Sequence, residues 1–423
     1  MVRDKFALVD CNNFYASCER VFNPALEHKP IGILSNNDGI IVALSNELKA
    51  LGVSRGTPVF KLKELIKKHD IRIFSSNYSL YGDMSARVMK ILAYYTPDLE
   101  IYSIDEAFLS LRGMAGNMTA YADQIRNRIR QWTGLPVSIG IGPSKTLAKI
   151  ANHVAKRNQR LKGVFDISDH PRFNEILAAV DVKHIWGIGP QYAKLLHRNG
   201  INNALQLTNA PRDWIRRKLT IMGLRTVMEL RGVSCLELEL ITEPKKEIVS
   251  SRSFGNPVTK LQDLREATTA YCTRAVEKLR EEKQAASQIM VYLTTNRFRN
   301  ERQYANFQST RLPLPSAYTP EFLQASLKLL DYLYRPGYKY KKVGVMISDI
   351  IPESQLPLDF FQPTYLDDRR KAIMNCVDSI NQKMGMNMLA YASIGNSLNW
   401  QMKREMLSPH YTTRWEHLPL VKA

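Results

Sequence analysis

The sequence predicts an α/β protein of several domains, and three observations support this prediction. The chain has 423 residues, whereas one ordinary domain has roughly 100–200. Apolar runs typical of strands alternate with helical patterns as far as residue 165. From Glu247 onward the order becomes βαββαβ, which predicts a four-stranded sheet backed by two helices.

The first predicted strand, Lys5–Asp10, is apolar except at its ends and finishes in the carboxylate of Asp10. The segment that begins at Asn12 has the pattern of a helix. The sequence therefore predicts an acidic side chain at the end of a buried strand.

A smaller unit is predicted to interrupt this domain between residues 28 and 75. Its apolar runs Ile31–Leu34 and Ile40–Ala43 flank an Asp-Gly pair, which is a strong hairpin signal. Ser45–Leu51 then predicts a short helix that ends at a glycine. Two polar side chains share one face of that helix, Asn46 and Lys49.

The domain resumes with a long helix, Ser76–Tyr95, and a strand, Glu100–Leu111, that carries the adjacent acids Asp105 and Glu106. A helix, a strand ending in glycines and a second helix complete it, over Thr119–Trp132, Val137–Gly142 and Ser144–Lys156.

Lysines recur along one face of the helix Ser144–Lys156, at Lys145, Lys149 and Lys156. Such a stripe usually faces solvent, but its position beside the acidic strands favours contact with phosphate.

Acids within apolar strands indicate a metal site, because a buried carboxylate needs a cation or hydrogen-bond donors to stay ionised. If the two acidic strands are neighbours, Asp10, Asp105 and Glu106 converge at one end of the sheet. Mg²⁺ prefers carboxylate oxygens and retains waters or substrate phosphates in its shell. Three carboxylates could hold two such ions about 3.5–4 Å apart, an arrangement suited to phosphoryl transfer.

The formal net charge of +19 and the pI of about 9.6 suit a polyanionic partner such as nucleic acid. No apolar stretch is long enough to span a bilayer, and the first residues lack the pattern of a signal peptide. We therefore expect a cytoplasmic protein with no membrane partner. The five cysteines are scattered without C-x-x-C spacing, which argues against disulfides and zinc; Cys11 would lend a metal at most its backbone carbonyl.

The remaining segments indicate contacts with DNA. Gly187 and Gly189 form a Gly-x-Gly turn that resembles a helix-hairpin-helix, in which backbone amides approach a phosphate. Residues 236–246 have the mixed charge of a linker. In the βαββαβ segment, several arginines on or beside strands suggest a sheet that grips backbone phosphates, namely Arg252, Arg297, Arg299 and Arg302.

Three motifs in this order resemble those of the Y-family translesion DNA polymerases, and within them the UmuC subfamily. They are Asp10 with Phe14-Tyr15-Ala16-Ser17, the Ser35-Asn36-Asn37-Asp38-Gly39 turn, and Ser103-Ile104-Asp105-Glu106-Ala107. The resemblance covers nearly the whole chain. It implies a right-hand fold with a palm (1–27 and 76–165), small fingers (28–75), a helical thumb (166–235), a linker (236–246), a little finger (247–350) and a C-terminal tail (351–423).

The resemblance implies error-prone, template-directed transfer of a deoxynucleotide to a primer 3′-OH, with two Mg²⁺ ions or Mn²⁺ in their place, in SOS repair and mutagenesis. Asp10 and Asp105 would bridge both ions, and Glu106 would hold the ion at the primer hydroxyl. Tyr15 matches the steric gate that excludes a 2′-OH. The other residues that match nucleotide-binding positions are Phe14, Asn46, Lys49 and Lys156. Where relatives have a tyrosine and an arginine, this chain has Asn46 and Lys49, and a lysine lacks the guanidinium fork.

The resemblance also implies partners: primer-template DNA, a dNTP, the sliding clamp, a UmuD′-like dimer and a RecA filament, with association to the nucleoid during synthesis. Gln355, Leu358 and Phe360 resemble a clamp-binding peptide, although a strand returning to the core would explain them too. Two other functions stay open, a metal-dependent nuclease and an inactive DNA-binding subunit that recruits partners.

Overall fold

The structure is a computed structural model that describes residues 5–114, 116–241, 243–357, 364–385, 387–395 and 400–420. The chain divides into two compact units. Within the described ranges, the first unit contains residues 5–35, 39–241 and 406–420, and the second contains 36–38 and the residues between 243 and 405. The predicted tail is therefore divided at residue 406, and its last part belongs to the first unit.

The first unit contains a mixed sheet, a smaller sheet and a set of helices. Its strands are β1 (Phe6–Cys11), β2 (Ile31–Leu34), β3 (Ile41–Leu44), β4 (Arg72–Ser75), β5 (Leu99–Ile101), β6 (Glu106–Ser110), β7 (Val137–Gly142) and β8 (Val164–Asp166). Its helices are α1 (Phe14–Phe22), α2 (Asn46–Ala50), α3 (Lys63–His69), α4 (Tyr78–Leu92), α5 (Met118–Thr133), α6 (Lys145–Arg157), α7 (Phe173–Ala178), α8 (Pro190–Arg198), α9 (Ala204–Asn209) and α10 (Arg212–Leu230).

The larger sheet has the order β5-β6-β1-β7-β8 and places the two acidic strands side by side. β1 pairs antiparallel with both β6 and β7, whereas β7 and β8 are parallel, so the sheet is mixed. The register sets Asp10 opposite Glu106. The main core of this unit lies on the face of the sheet that includes Ala7 and Val9.

The prediction of one strand over Glu100–Leu111 is wrong. The chain forms two antiparallel strands, β5 and β6, joined by a turn at residues 102–105. The Ser103 side chain explains the turn, because its hydroxyl oxygen accepts hydrogen bonds from the amides of Asp105 (3.3 Å) and Glu106 (3.0 Å). A serine that binds nearby amides offers the backbone an alternative to the ladder of a continuous strand.

The predicted hairpin between residues 31 and 44 is confirmed. β2 pairs antiparallel with β3 and parallel with β4, in the order β3-β2-β4. The Ser45 side chain accepts a hydrogen bond from the Leu48 amide and so caps α2, the helix that carries Asn46 and Lys49.

The glycine turn at Gly187 is preceded by a short 3-10 turn, Val182–His184, and followed by α8. Gly187 has φ +84°, a conformation that favours glycine, and a Cβ there would lie 3.1 Å from the Thr226 hydroxyl. The helix-hairpin-helix itself stays a prediction.

The second unit confirms the predicted βαββαβ order. Its sheet has the order β11-β10-β12-β9, with every neighbouring pair antiparallel, and α11 and α12 pack against it. The elements are β9 (Glu247–Val258), α11 (Leu261–Glu281), β10 (Gln284–Thr295), β11 (Ala305–Ser316), α12 (Thr319–Leu333), β12 (Tyr340–Pro352) and α13 (Thr364–Met384).

Within the described ranges, no helix combines the length and the apolar character that a membrane span requires. All five cysteines are free thiols, as their spacing predicts.

Candidate active site

The alternation of side chains along the strands sets two acids on the same face of the larger sheet. Successive residues of a strand point to opposite faces, so Asp10 shares a face with Leu8, and Glu106 shares that face with Phe108. Leu8 and Phe108 belong to a cluster with Ala148 of α6. Asp10 and Glu106 therefore face α6, at the end of two neighbouring strands.

Asp105, the third acid, lies in the turn before β6. Its backbone carbonyl accepts a hydrogen bond from the Cys11 amide (2.9 Å), which continues the pairing of β1 with β6. The Ser103 hydroxyl donates to Oδ1 of Asp105 (2.7 Å). The structure thus brings the three predicted acids to one edge of the sheet.

Two lysines of α6 reach the same edge. Nζ of Lys156 lies 2.5 Å from Oδ1 of Asp10, and Nζ of Lys149 lies 2.6 Å from Oε2 of Glu106. Close packing of α6 on β7 makes this reach easy, because a Cβ at Gly140 would lie 2.0 Å from the Asn152 amide nitrogen of α6. Two lysines of the predicted stripe therefore contact the acids themselves, whereas Lys145 pairs with Glu100.

Lys149 is further surrounded by aromatic rings. Its Nζ lies 4.4 Å from the ring centre of Tyr102 and 5.4 Å from that of Trp186. Cations within about 6 Å of a ring face are attracted to it, so this ammonium group is held on the Glu106 side of the site.

The pKa values of Asp10 and Glu106 shift in opposite directions. Burial raises the pKa of Asp10 to about 7, although Lys156 opposes the shift. Burial acts in the same direction on Glu106, but its hydrogen bond with Asp10 and the charge of Lys149 outweigh it, so the pKa of Glu106 is lowered. The pair can thus share one proton near neutral pH, as close carboxylates do.

The three acids form a donor set that suits a hard divalent cation, since all of them offer carboxylate oxygens. Asp10 and Glu106 already attract ammonium groups, which shows that the site favours positive charge. In the part of the chain that the structure describes, no three His, Cys, Asp or Glu side chains are yet grouped as a metal site. The Lys156 ammonium group would have to leave Asp10 when an ion binds.

Cys11 points away from the acids into the core, because it follows Asp10 along β1. Burial, with the charges of Asp10 and Asp105, raises the pKa of the Cys11 thiol, so the thiolate that a metal would bind is disfavoured.

A cavity of about 1290 Å³ opens beside the acids within the first unit. Tyr15 lines it, with its ring stacked on Tyr81 (centres 4.3 Å apart, 13° between planes) and edge-on to Tyr78 (6.3 Å). Phe14 also lines the cavity, although only 3% of it is exposed. Tyr15 is partly buried and also packs against the core of this unit.

Helix α2 contributes a polar wall to this cavity. Asn46 and Lys49 line it, and the Lys49 ammonium group donates to Oδ1 of Asn13 (2.5 Å) and of Asn46 (3.3 Å). Burial lowers the pKa of Lys49, and the charges of Arg55 and Lys156 lower it further. Lys49 and Lys156 both line this cavity.

Arg55 is a cavity residue that the sequence analysis missed. It lies in the turn after α2, next to Gly56 with φ +87°. Arg55 is a basic residue close in sequence to Lys49, and this closeness could have suggested a role in the site. No local sequence pattern, however, indicates that its turn faces the acids.

The predicted DNA-contact residues are distributed over both units. Gly187 and Gly189 are exposed in the first unit, and the four arginines are exposed in the second. Arg252 lies on β9, whereas Arg297, Arg299 and Arg302 lie in the loop between β10 and β11. The guanidinium of Arg297 stacks on Phe298 (4.8 Å), a residue that is 84% exposed.

The predicted clamp-binding peptide is only partly described. Gln355 is exposed and ends a short 3-10 turn, Glu353–Gln355. Leu358 and Phe360 lie outside the described residues.

Comparison with protein-family models gives three matches. Residues 9–153 match the impB/mucB/samB family, residues 245–360 match the C-terminal domain of that family, and residues 371–421 match a domain of unknown function. The first match includes Asp10, Asp105, Glu106, Lys49 and Lys149, whereas Lys156 lies beyond its end.

Curated proteins match over almost the whole chain. Protein UmuC of Salmonella typhimurium is 43% identical over 99% of this chain and 100% of its own length. Protein ImpB of Salmonella typhimurium is 39% identical over 99% of both chains. DNA polymerase IV of Bacillus velezensis is 26% identical over 91% of this chain and 92% of its own.

A solved structure has the same fold. A Y-family DNA polymerase chimera matches with a TM-score of 0.64 over 82% of this chain and 99% of its own, at 20% identity. The predicted right-hand fold with a separate C-terminal sheet is therefore confirmed at the level of the fold.

Proposed function

The chain belongs to the impB/mucB/samB family, and from this premise we propose that it is a DNA-directed DNA polymerase that copies damaged templates. One observation carries the proposal: Asp10, Asp105 and Glu106 meet at one sheet edge, beside a cavity whose other wall holds Tyr15 and Lys49. The Y-family polymerase fold and the full-length similarity to UmuC support it. A nuclease would need the acids but would have no use for a sugar-facing tyrosine.

In this proposal Asp10, Asp105 and Glu106 hold two Mg²⁺ ions, or Mn²⁺ in their place, and the Cys11 carbonyl is a further ligand. When bound, the ions would lower the pKa of the primer hydroxyl and neutralise charge on the triphosphate. Glu106 is the first residue of β6, and Asp105 is the last residue of the turn before it. The two carboxylates would therefore reach the ions from adjacent positions of the chain.

Lys156 has two roles in this scheme. It neutralises Asp10 in the free protein, where the two side chains are 2.5 Å apart. When a nucleotide enters, the partly exposed ammonium group turns from Asp10 to a phosphate oxygen. The carboxylate is thereby released for metal binding as the substrate arrives.

The triphosphate is held by cations on the opposite wall. Lys49 supplies a point charge, and Asn46 positions it through the hydrogen bond between their side chains. Arg55 supplies the guanidinium fork that Lys49 lacks, and a fork can bind phosphate through two parallel hydrogen bonds.

Tyr15 is proposed as the steric gate, with its ring under the sugar so that a ribose 2′-OH would collide with it. Phe14, buried behind it, supports the start of α1. The stack of Tyr15 on Tyr81 restricts the gate ring to one plane.

DNA would be held by the exposed glycine turn of the first unit and by the exposed arginines of the second. Such contacts are made to phosphates and are independent of sequence. The small fingers imply loose enclosure of the nascent base pair, hence error-prone bypass in SOS repair. The proposed protein partners are the sliding clamp, through Gln355, a UmuD′-like dimer and a RecA filament.

Primer extension tests this proposal. With Mg²⁺ and four dNTPs, the wild-type chain should extend a primer on undamaged and abasic templates, with and without UmuD′ and RecA. Asp105→Ala should abolish extension, whereas Asp123→Ala, which changes an acid on α5 outside the cavity lining, should not. Retained DNA binding without extension by wild type in any mixture would favour the inactive recruiting subunit, and degradation of the primer would favour the nuclease.

A further inference from the structure

Residues 406–411, which we name the docking segment, pack on the first unit beside the smaller sheet. The Met406 amide donates to the Ser75 hydroxyl (3.1 Å), and the Ser75 amide donates to the Met406 carbonyl (2.9 Å). Leu407 forms a parallel bridge with Ser75 at the end of β4. The docking segment thus lies beside β4, an edge strand of the smaller sheet.

Asn77 binds the next two residues of the docking segment. Its Nδ2 lies 2.9 Å from the Ser408 hydroxyl, 3.2 Å from the Ser408 carbonyl and 3.2 Å from the Pro409 carbonyl. Its Oδ1 accepts a hydrogen bond from the Leu80 amide and so caps α4. The residue that starts α4 therefore also binds the docking segment.

Ser408 extends this contact to a buried carboxylate. Its hydroxyl donates to Oε1 of Glu19 (3.1 Å), and the Tyr81 hydroxyl donates to the same oxygen (2.7 Å). Ser408 is 5% exposed, Glu19 1% and Tyr81 0%. The Glu19 carboxylate of α1 thus accepts hydrogen bonds both from the docking segment and from Tyr81 of α4.

Tyr81 is also the ring on which Tyr15 stacks, with centres 4.3 Å apart. A second contact acts on the helix of Tyr15, because Tyr411 stacks on Phe22 at the end of α1 (4.9 Å, 7° between planes). A continuous series of contacts therefore runs from the docking segment to the candidate gate.

We propose that the docking segment positions Tyr15, and that Ser408, Glu19 and Tyr81 are positioning residues for sugar discrimination. The proposal rests on the proposed function, since only a polymerase has a sugar to exclude. It gives a role to the last part of the domain of unknown function that spans residues 371–421.

The buried polar groups between the docking segment and the rest of the first unit favour a role in positioning Tyr81 over a role in core packing alone. Burying a carboxylate, a serine and an asparagine costs free energy that apolar side chains would not. Fully bonded polar networks instead fix one geometry, because each donor and acceptor has a defined direction. The Tyr81 ring, which stacks on Tyr15, is held in this way through its hydroxyl group.

The test compares single insertions of a dNTP and of the matching rNTP by the full chain. Ser408→Ala and Tyr81→Phe should each lower the ratio of kcat/KM for dNTP over rNTP by about threefold to tenfold, because a displaced gate excludes the 2′-OH less well. Glu19→Gln keeps the acceptor oxygen and should leave the ratio within about twofold of wild type. Thr413→Ala, an exposed position next to the docking segment, is the matched control.

Two outcomes would overturn the proposal. If Tyr15→Ala loses discrimination while Ser408→Ala and Tyr81→Phe keep it, the gate exists but the docking segment does not position it. If Tyr15→Ala keeps discrimination, the gate role within the proposed function fails, and the proposal fails with it.

A second measurement is independent of activity. With 3-fluorotyrosine at position 15, the ¹⁹F resonance should shift in Ser408→Ala and stay unchanged in Thr413→Ala. An unchanged resonance in Ser408→Ala overturns the proposal even if no variant extends a primer. If the chain does not extend a primer but the resonance shifts in Ser408→Ala, the series of contacts from the docking segment to Tyr15 is supported. The proposed polymerase function is then what fails.

Discussion

At the residue scale, the cations beside α2 decide how this chain can hold a triphosphate. Lys49 stands where the resemblance expects an arginine, and Arg55 lines the same cavity. A guanidinium binds phosphate oxygens in a fixed fork, which an ammonium group cannot do. Arg55 therefore offers a physical replacement from a neighbouring turn.

We expect Arg55→Ala to raise KM for the incoming dNTP about tenfold, the loss typical of one charge-assisted hydrogen bond, with a smaller change in kcat. Steady-state insertion kinetics measure both constants. Lys61→Ala, at an exposed position outside the cavity lining, is the control. Equal KM values for Arg55→Ala and wild type would exclude a role for Arg55 in binding.

Glu19 gives the stability of the first unit a defined dependence on pH. Burial raises its pKa from 4.5 to about 7, although the Tyr81 and Ser408 hydroxyls oppose the shift. The Tyr81, Tyr411 and Cys18 side chains also lie within its field. Between the two pKa values the folded chain binds more protons than the unfolded chain, so this group's contribution to stability falls as pH rises.

Glu19→Gln removes that titration. Its stability relative to wild type should therefore increase from pH 5 to pH 8, by at most about 3 kcal/mol. Urea unfolding of both chains at several pH values measures the difference. A difference that stays constant across this range would show that Glu19 is not held protonated by burial.

Single residues also show how much of the site the sequence could predict. The convergence of Asp10, Asp105 and Glu106 was predictable, because acids within apolar runs of the sequence need a special environment. Arg55 was not, because its position depends on the path of a turn. The pairing of Lys156 with Asp10 was only partly predictable, since helical spacing gives a face but no partner.

At the scale of elements, the turn between β5 and β6 is the part of the site that differs most from its prediction. The apolar run over residues 100–111 predicted one strand, yet the chain reverses at the acids. Periodicity does not reveal such a turn, because the Ser103 side chain, and not hydropathy, stabilises it. The reversal places Asp105 at the last position of the turn and Glu106 at the first position of β6.

We expect Ser103→Ala to lower kcat about tenfold with little change in KM for dNTP, because a small displacement of Asp105 and Glu106 affects chemistry more than binding. Single-turnover insertion kinetics measure the effect. Ser103→Thr keeps the hydroxyl and should recover most of the activity. A higher KM for dNTP with an unchanged kcat would contradict this role of the turn.

At the scale of the whole molecule, the chain has a net charge of +19 and divides into two compact units. The βαββαβ order of the second unit was predictable because long helices and strands alternate there with clear periods. The position of residues 406–420 in the first unit was not predictable. That arrangement depends on hydrogen bonds between residues more than 300 positions apart, such as Asn77 with Ser408.

The exposed arginines of the second unit should control the salt dependence of DNA binding. Replacing Arg297, Arg299 and Arg302 with alanine should reduce the magnitude of the slope of log K against log salt by about 2–3, because each phosphate contact contributes roughly 0.9. Fluorescence anisotropy with the full chain measures this slope. Arg265→Ala is the control, since that guanidinium is paired with Asp331 at 2.8 Å. An unchanged slope in the triple variant would remove these arginines from the DNA contact.

The central claim is that Asp10, Asp105 and Glu106 together hold two divalent ions for nucleotidyl transfer. Counting Mn²⁺ ions by electron paramagnetic resonance tests it most directly, with the full chain bound to primer-template DNA and a non-hydrolysable dNTP. The account predicts two ions for wild type and Asp123→Ala, and a loss of at least one for Asp105→Ala. The same count in wild type and Asp105→Ala would contradict it, because the ions would then be held elsewhere.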